Sequence, residues 1–119
     1  MPVTHISEQV IPTIAVIVPC YNEEATIANV VRDFATFLPS AQVYVYDNNS
    51  NDKSVENAKK AGALVRFETL QGKGHVVRRA FADVDADIYV LVDGDDTYDA
   101  SSAPRLIGQL LNGPYDMIN

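Results

Sequence analysis

The sequence predicts an α/β fold with a mostly parallel sheet whose strands alternate with helices. Four short runs rich in β-branched and apolar residues have strand length, and between them apolar residues recur at helical spacing. The most unusual polar residues directly follow those runs, where an open α/β sheet places its ligand site. The first run, residues 13–18 (Thr-Ile-Ala-Val-Ile-Val), lacks alternation and so predicts a strand covered on both faces, ending at Pro19. Ile27, Val30, Val31, Phe34 and Phe37 then share a helical face. Asn22 is the expected cap of that helix, Glu23 and Glu24 suit its positive end, and Pro39 stops it. Residues 43–46 predict the second strand, followed by the polar turn 47–52 and a short helix from Ser54 that ends at Gly62.

Residues 63–67 predict a third strand. Gln71-Gly72-Lys73-Gly74 leads into a helix expected to turn Val76, Val77, Ala80 and Phe81 inward. Residues 88–92 predict the fourth strand, terminated by Asp93-Gly94-Asp95-Asp96. Ser101 or Ser102 is the expected cap of a last helix that buries Leu106, Ile107, Leu110 and Leu111, with Pro104 tolerated in its first turn. Strands joined through helices imply right-handed crossovers and parallel pairing.

The 119 residues, 47% hydrophobic and 21% charged, suit one domain: a polar, Pro-containing tail over 1–12 and a folded part over 13–119. No apolar stretch is long enough to span a bilayer, and Pro2, His5, Glu8 and Pro12 interrupt any leader-like series, so a cytoplasmic location is expected. A single cysteine, Cys20, precludes an internal disulfide, and with two histidines a Cys/His zinc site is excluded. Any metal is expected to bind oxygen. Nine Lys and Arg against 16 Asp and Glu leave a net charge of −7, which argues against a nucleic-acid partner and requires a cation beside any small anionic ligand.

Asp93-Gly94-Asp95 is the strongest local signal. In extended backbone, residues two apart point the same way, so both carboxylates can face one hard cation, Mg²⁺ or Mn²⁺, while Gly94 permits close approach. Open coordination positions would take water and diphosphate oxygens, and the ion would offset charge on a diphosphate leaving group. An isolated triplet of this kind is more often a solvated acidic turn. Asp47 suits a hydrogen bond from a base N–H or a ribose hydroxyl, or the start of an Asx turn. Lys73, flanked by Gly72 and Gly74 ahead of a helix, suits a phosphate, although the spacing is not that of a Walker loop. Arg78 and Arg79 serve phosphate or solvent, Glu23 and Glu24 a nucleotide or the helix dipole, and Cys20 packing. His75 has no partner visible in the sequence.

Taken in series, Val16 through Glu24, Tyr46-Asp47-Asn48-Asn49-Ser50-Asn51-Asp52, Gly72-Lys73-Gly74 and Val92-Asp93-Gly94-Asp95 resemble glycosyltransferase family two over residues 13–119. The resemblance is to the branch containing dolichyl-phosphate and polyprenyl-phosphate sugar transferases. It implies the GT-A fold and inverting, divalent-metal-assisted transfer of a sugar from a UDP- or GDP-sugar. It further implies that Pro19, Tyr21 and Glu23 line the nucleotide site, Asp47 holds the base, and Lys73 is the basic residue after the third strand. Asp93 would lie near ribose or metal, and Asp95 would ligate the metal. Gly94 stands where alanine is common, and Asn48-Asn49 where many relatives carry Asp-Gly, which leaves the base open.

Catalytic domains of that family are substantially longer, and their later half supplies the acceptor pocket and the acceptor's base. The chain therefore reads as a nucleotide-binding half, stopping as another strand begins near Asp116. Its catalytic base is expected beyond Asn119, and it is expected to bind donor without turnover. A polyprenyl phosphate is the implied acceptor, at the inner face of a membrane, and a bare edge on the fourth strand would invite self-association. Two enzymatic rivals share these residues. Asp93-Gly94-Asp95-Asp96-Thr97 also reads as the opening of a haloacid-dehalogenase-like phosphatase with Asp93 as nucleophile, and a nucleotidyltransferase is compatible with the fold. A non-catalytic nucleotide-sugar-binding module is the remaining alternative.

Overall fold

The computed structural model describes residues 11–112. Residues 1–10 of the expected tail, and the strand expected near Asp116, lie outside the described residues. Four strands, β1 (Ile14–Cys20), β2 (Gln42–Asp47), β3 (Leu64–Phe67) and β4 (Ile88–Leu91), form one sheet in the order β3-β2-β1-β4, every pair parallel. The helices are α1 (Ile27–Phe37), α2 (Ser54–Ala61), α3 (Lys73–Asp83) and α4 (Ala103–Asn112). Among the described residues no helix is long and apolar enough to cross a membrane.

β1 is covered on both faces, as its unalternating sequence requires. Val16, Val18 and Cys20 pack with Val30, Val31 and Phe34 of α1 and Ala58 of α2, while Ala15 and Ile17 pack with Tyr46 and with Val76 and Ala80 of α3. The sheet thus lies between α1 and α2 on one side and α3 on the other. β3 and β4 are its outer strands among the described residues. α2 ends where expected: Gly62 takes the left-handed conformation (φ 107°), and its N–H returns to the helix carbonyls.

Five local expectations are corrected. β1 does not stop at Pro19 but runs through it to Cys20. The ring is tolerated because β4 pairs only as far as Ile17↔Leu91, so the side of β1 toward which Pro19 presents its missing N–H has no strand partner. α1 starts at Ile27, and Asn22 is not its cap: Asn22 adopts a left-handed conformation (φ 51°), and its Oδ1 accepts the Asn51 N–H at 2.9 Å. Phe81 is not turned inward; it is half-exposed and meets Tyr89 edge-on, with ring centroids 4.8 Å apart. Asp99, not a serine, caps the C-terminal helical segment, its Oδ1 accepting the Ser101 N–H at 3.0 Å at a 3-10 turn (Ala100–Ser102) that leads into α4. In α4, Leu106, Ile107 and Leu110 are only half-buried and Leu111 is exposed.

Candidate functional site

Three strand ends and one helix start converge on a cavity of about 320 Å³ at the carboxyl edge of the sheet, within the size range of small-molecule sites. Pro19, Tyr21 and Glu23 enter from the end of β1, Asn48 from the end of β2, Lys73 from the first position of α3, and Asp93 and Asp95 from the segment after β4. Residues distant in sequence meet there because parallel strands all deliver their following loops to the same edge.

Hydrogen bonds between loops hold the walls. The Asn22 N–H donates to Ser50 Oγ at 2.8 Å, the Glu23 N–H to Ser54 Oγ at 2.7 Å, and the Asn57 side chain to the Glu24 carbonyl at 3.0 Å. These bonds account for the late start of α1: residues 22–24 are committed to the loop after β2 and to α2. At the other end, Thr26 Oγ1 donates to the Gly94 carbonyl at 2.6 Å and ties the start of α1 to the segment after β4.

Gly94 has a steric reason. A Cβ there would stand 2.8 Å from Glu23 Oε1 and 3.1 Å from Ile27 Cδ1. Gly94→Ala is therefore expected to push the Glu23 carboxylate off the Tyr21 N–H, which it now accepts at 3.2 Å, and to cost about 1 kcal/mol of stability. Urea unfolding and the Tyr21 amide chemical shift check both parts.

Glu23 is held above its ordinary value of 4.5, chiefly by burial, with repulsion from Asp95 and Asp93 adding to it against the Tyr21 N–H. A carboxyl whose folded-state pKa is raised binds protons more readily when folded, so its contribution to stability falls as pH rises above the unfolded value. Glu23→Gln keeps the acceptor for Tyr21 and removes the charge. It is expected to raise the unfolding midpoint relative to wild type at about pH 7 and to matter less at about pH 3.5, where the carboxyl is mostly protonated in both states. Asp95 behaves oppositely: its Oδ1 accepts the Thr97 hydroxyl at 2.8 Å and the Thr97 N–H at 3.2 Å, which lowers its pKa below the usual carboxylate value. Burial pushes the Cys20 thiol up to about 12, so it lines the cavity as an un-ionised packing group.

Lys73 Nζ lies 2.6 Å from Asp93 Oδ1, bridging the cavity from α3 to the end of β4. Of the residues expected to bind ligand, Pro19, Tyr21, Glu23, Lys73, Asp93 and Asp95 line one cavity, with Gly94 packed against Glu23. Asp47 is placed differently. It is 3% exposed and lies outside the cavity lining, its Oδ2 accepts the Ser50 N–H at 2.9 Å, and its buried Oδ1 has no hydrogen-bond partner among the described residues. Arg79 is engaged elsewhere, donating to Glu68 Oε1 at 3.1 Å. Asn48 and Gln71 line the cavity although sequence reasoning gave them no ligand role; a polar Asn-Asn pair directly after a strand was the available signal.

Three carboxylates, Glu23, Asp93 and Asp95, share this cavity with one ammonium, that of Lys73. Such a charge set opposes a lone anion and would favour one accompanied by a cation. Asp93 and Asp95 fit a hard cation: both are carboxylates, and Asp95 Oδ2 has no partner among the described residues. No group of three or more His, Cys, Asp or Glu suited to a metal occurs among the described residues. Two carboxylates match an ion that keeps positions for water and ligand oxygens.

Comparison with known proteins is consistent with this geometry. Residues 15–119 match the family described as Glycosyl transferase family 2. The chain is 59% identical over 105 residues to protein RfbJ of Shigella flexneri, covering 88% of this chain and 81% of RfbJ. It is 32% identical over 113 residues to a dolichyl-phosphate hexose transferase of Haloferax volcanii, covering 95% of this chain and 49% of that protein. The crystal structure of glucosyl-3-phosphoglycerate synthase from Mycobacterium tuberculosis in complex with Mn²⁺, UDP and phosphoglyceric acid aligns with a TM-score of 0.78 at 31% identity, covering 87% of this chain and 40% of that one. The chain thus spans less than half the length of the latter two relatives. The four-stranded parallel sheet is of the GT-A type, and the family match over residues 15–119 favours the glycosyltransferase reading over the phosphatase and nucleotidyltransferase alternatives. On a family match that runs from the second residue of β1 to Asn119, the chain belongs to glycosyltransferase family 2.

Proposed function

We propose that this chain forms the donor-binding part of a glycosyltransferase that takes a sugar from a nucleotide diphosphate with help from a divalent ion. The observation that carries this reading is the convergence of Asp93, Asp95, Glu23 and Lys73 on one cavity at the carboxyl edge of the sheet. Structures of glucosyl-3-phosphoglycerate synthase with Mn²⁺ and UDP or UDP-glucose support UDP-sugars as the donor class and Mn²⁺ or Mg²⁺ as the ion. Asp93 and Asp95 would hold that ion, which when bound offsets charge gathering on the departing diphosphate. Lys73 would leave Asp93 for the diphosphate. The exposed Tyr21 ring offers a face to the nucleotide.

In the proposed reaction an acceptor oxygen attacks the anomeric carbon opposite the diphosphate and inverts it. A polyprenyl phosphate is the proposed acceptor, supported by similarity to the dolichyl-phosphate hexose transferase. Calorimetric titration of UDP into the protein, with and without Mn²⁺, tests the reading. Binding is expected only with the ion, and ion-independent binding or none would overturn it.

A further inference from the structure

We infer that Thr26 is a positioning residue for Asp93 and Asp95, its hydroxyl fixing the backbone that joins the two carboxylates. The inference rests on the donor-binding reading, which makes that pair the ligands of a divalent ion. Thr26 stands at the N-cap position of α1, where a threonine hydroxyl ordinarily accepts an N–H from the first turn of its own helix. It makes no such bond. Its Oγ1 donates instead to the Gly94 carbonyl at 2.6 Å, across 68 positions of sequence. The start of α1 is held by the Glu23 carbonyl, which accepts the N–H groups of Thr26 and Ile27 at 3.1 and 2.9 Å. The Thr26 hydroxyl is thus committed to the segment after β4 and not to capping its helix.

That segment gains most from a tie at this point. Gly94 is buried, while Asp93 and Asp95 on either side of it are exposed. A side chain at position 94 would meet Glu23 Oε1 and Ile27 Cδ1, so the residue between the two carboxylates is the type whose backbone turns most freely. The flanks are fastened separately. Before the pair, the Val92 N–H donates to the Ile17 carbonyl at 3.1 Å; after it, Asp95 Oδ1 accepts the Thr97 hydroxyl and N–H. Rotation of the Gly94–Asp95 peptide would swing one carboxylate away from the other, and two ligands on one short segment share an ion only while the backbone between them keeps a single conformation. By holding the Gly94 carbonyl against α1, the hydroxyl opposes that rotation. Valine has nearly the shape of threonine without the donor, and serine keeps the donor.

The test compares wild type, Thr26→Val and Thr26→Ser, with Mn²⁺ alone and UDP as probes. Thr26→Val is expected to weaken Mn²⁺ about tenfold, a loss typical of removing a group that orients a metal ligand, and Thr26→Ser to stay within about twofold of wild type. UDP affinity in Thr26→Val is expected to return to the wild-type value once Mn²⁺ is raised to saturation, which damage to the cavity as a whole would not permit. Unchanged Mn²⁺ affinity in Thr26→Val, an equal loss in Thr26→Ser, or a UDP deficit that persists at saturating Mn²⁺ would overturn the inference and leave the donor reading standing. A wild type that binds no UDP in Mn²⁺ overturns both. Should Thr26→Val fail to fold, the wild-type hydroxyl decides: its proton is expected to exchange slowly enough with water to be seen by NMR, and rapid exchange contradicts the tie.

Discussion

Asp95→Ala is expected to abolish Mn²⁺-dependent binding of UDP, weakening the ion by about 100-fold or more, while the protein stays folded. The size of the effect follows from the shortage of ligands. The cavity offers two carboxylates after β4, and one of them, Asp93, is already in contact with Lys73. Asp95 has one oxygen fixed by Thr97 and the other without a partner among the described residues, so it is both oriented and open. Its interactions are exposed and local, so the unfolding midpoint should move by no more than about 0.5 kcal/mol equivalent. Calorimetry with Mn²⁺ and UDP, beside a thermal melt, separates lost binding from lost structure. Retained Mn²⁺-dependent affinity would remove Asp95 from the site.

Lys73→Met should act on two ligands with opposite signs. A unit positive charge beside a divalent ion opposes it by on the order of 1 to 2 kcal/mol even at the dielectric constant of water, so its removal should tighten Mn²⁺ alone by about tenfold. The same change removes the ammonium proposed to meet the diphosphate and should weaken UDP. The Lys73–Asp93 pair is more than half exposed on both sides, 61% and 51%, and surface pairs of this kind contribute at most about 1 kcal/mol, so the fold should persist. The Mn²⁺ gain should shrink with added salt, because the repulsion it relieves is screened. Loss of affinity for both ligands would show that Lys73 supports the wall and does not compete for Asp93.

The strands and helices were legible because their signals are local. The unalternating run of β1 announces burial on both faces, and Gly62 announces the end of α2. The gathering of Asp93, Asp95 and Lys73 at one edge was legible too, since parallel pairing sends every post-strand loop there. The misread features depend on contacts far along the chain. Asn22 has a capping residue's chemistry, yet its side chain serves Asn51, 29 positions on, and α1 starts later in consequence. Pro19 ends a strand by propensity, but the short reach of β4 leaves its missing N–H harmless. Asn48 acts on residues 20 to 24 positions away, a relation with no period or spacing to reveal it.

In the proposed complex three strand ends and the start of α3 would surround one ion and one diphosphate. Paramagnetic broadening by Mn²⁺ in the UDP-bound, ¹⁵N-labelled protein tests it most directly. The amides of Tyr21, Asn48, Lys73 and Asp95 should broaden together, while those of Ala41 and Asp87, at the opposite edge of the sheet, stay sharp. Broadening confined to one of these loops, or centred on the Ala41 and Asp87 edge, would contradict it.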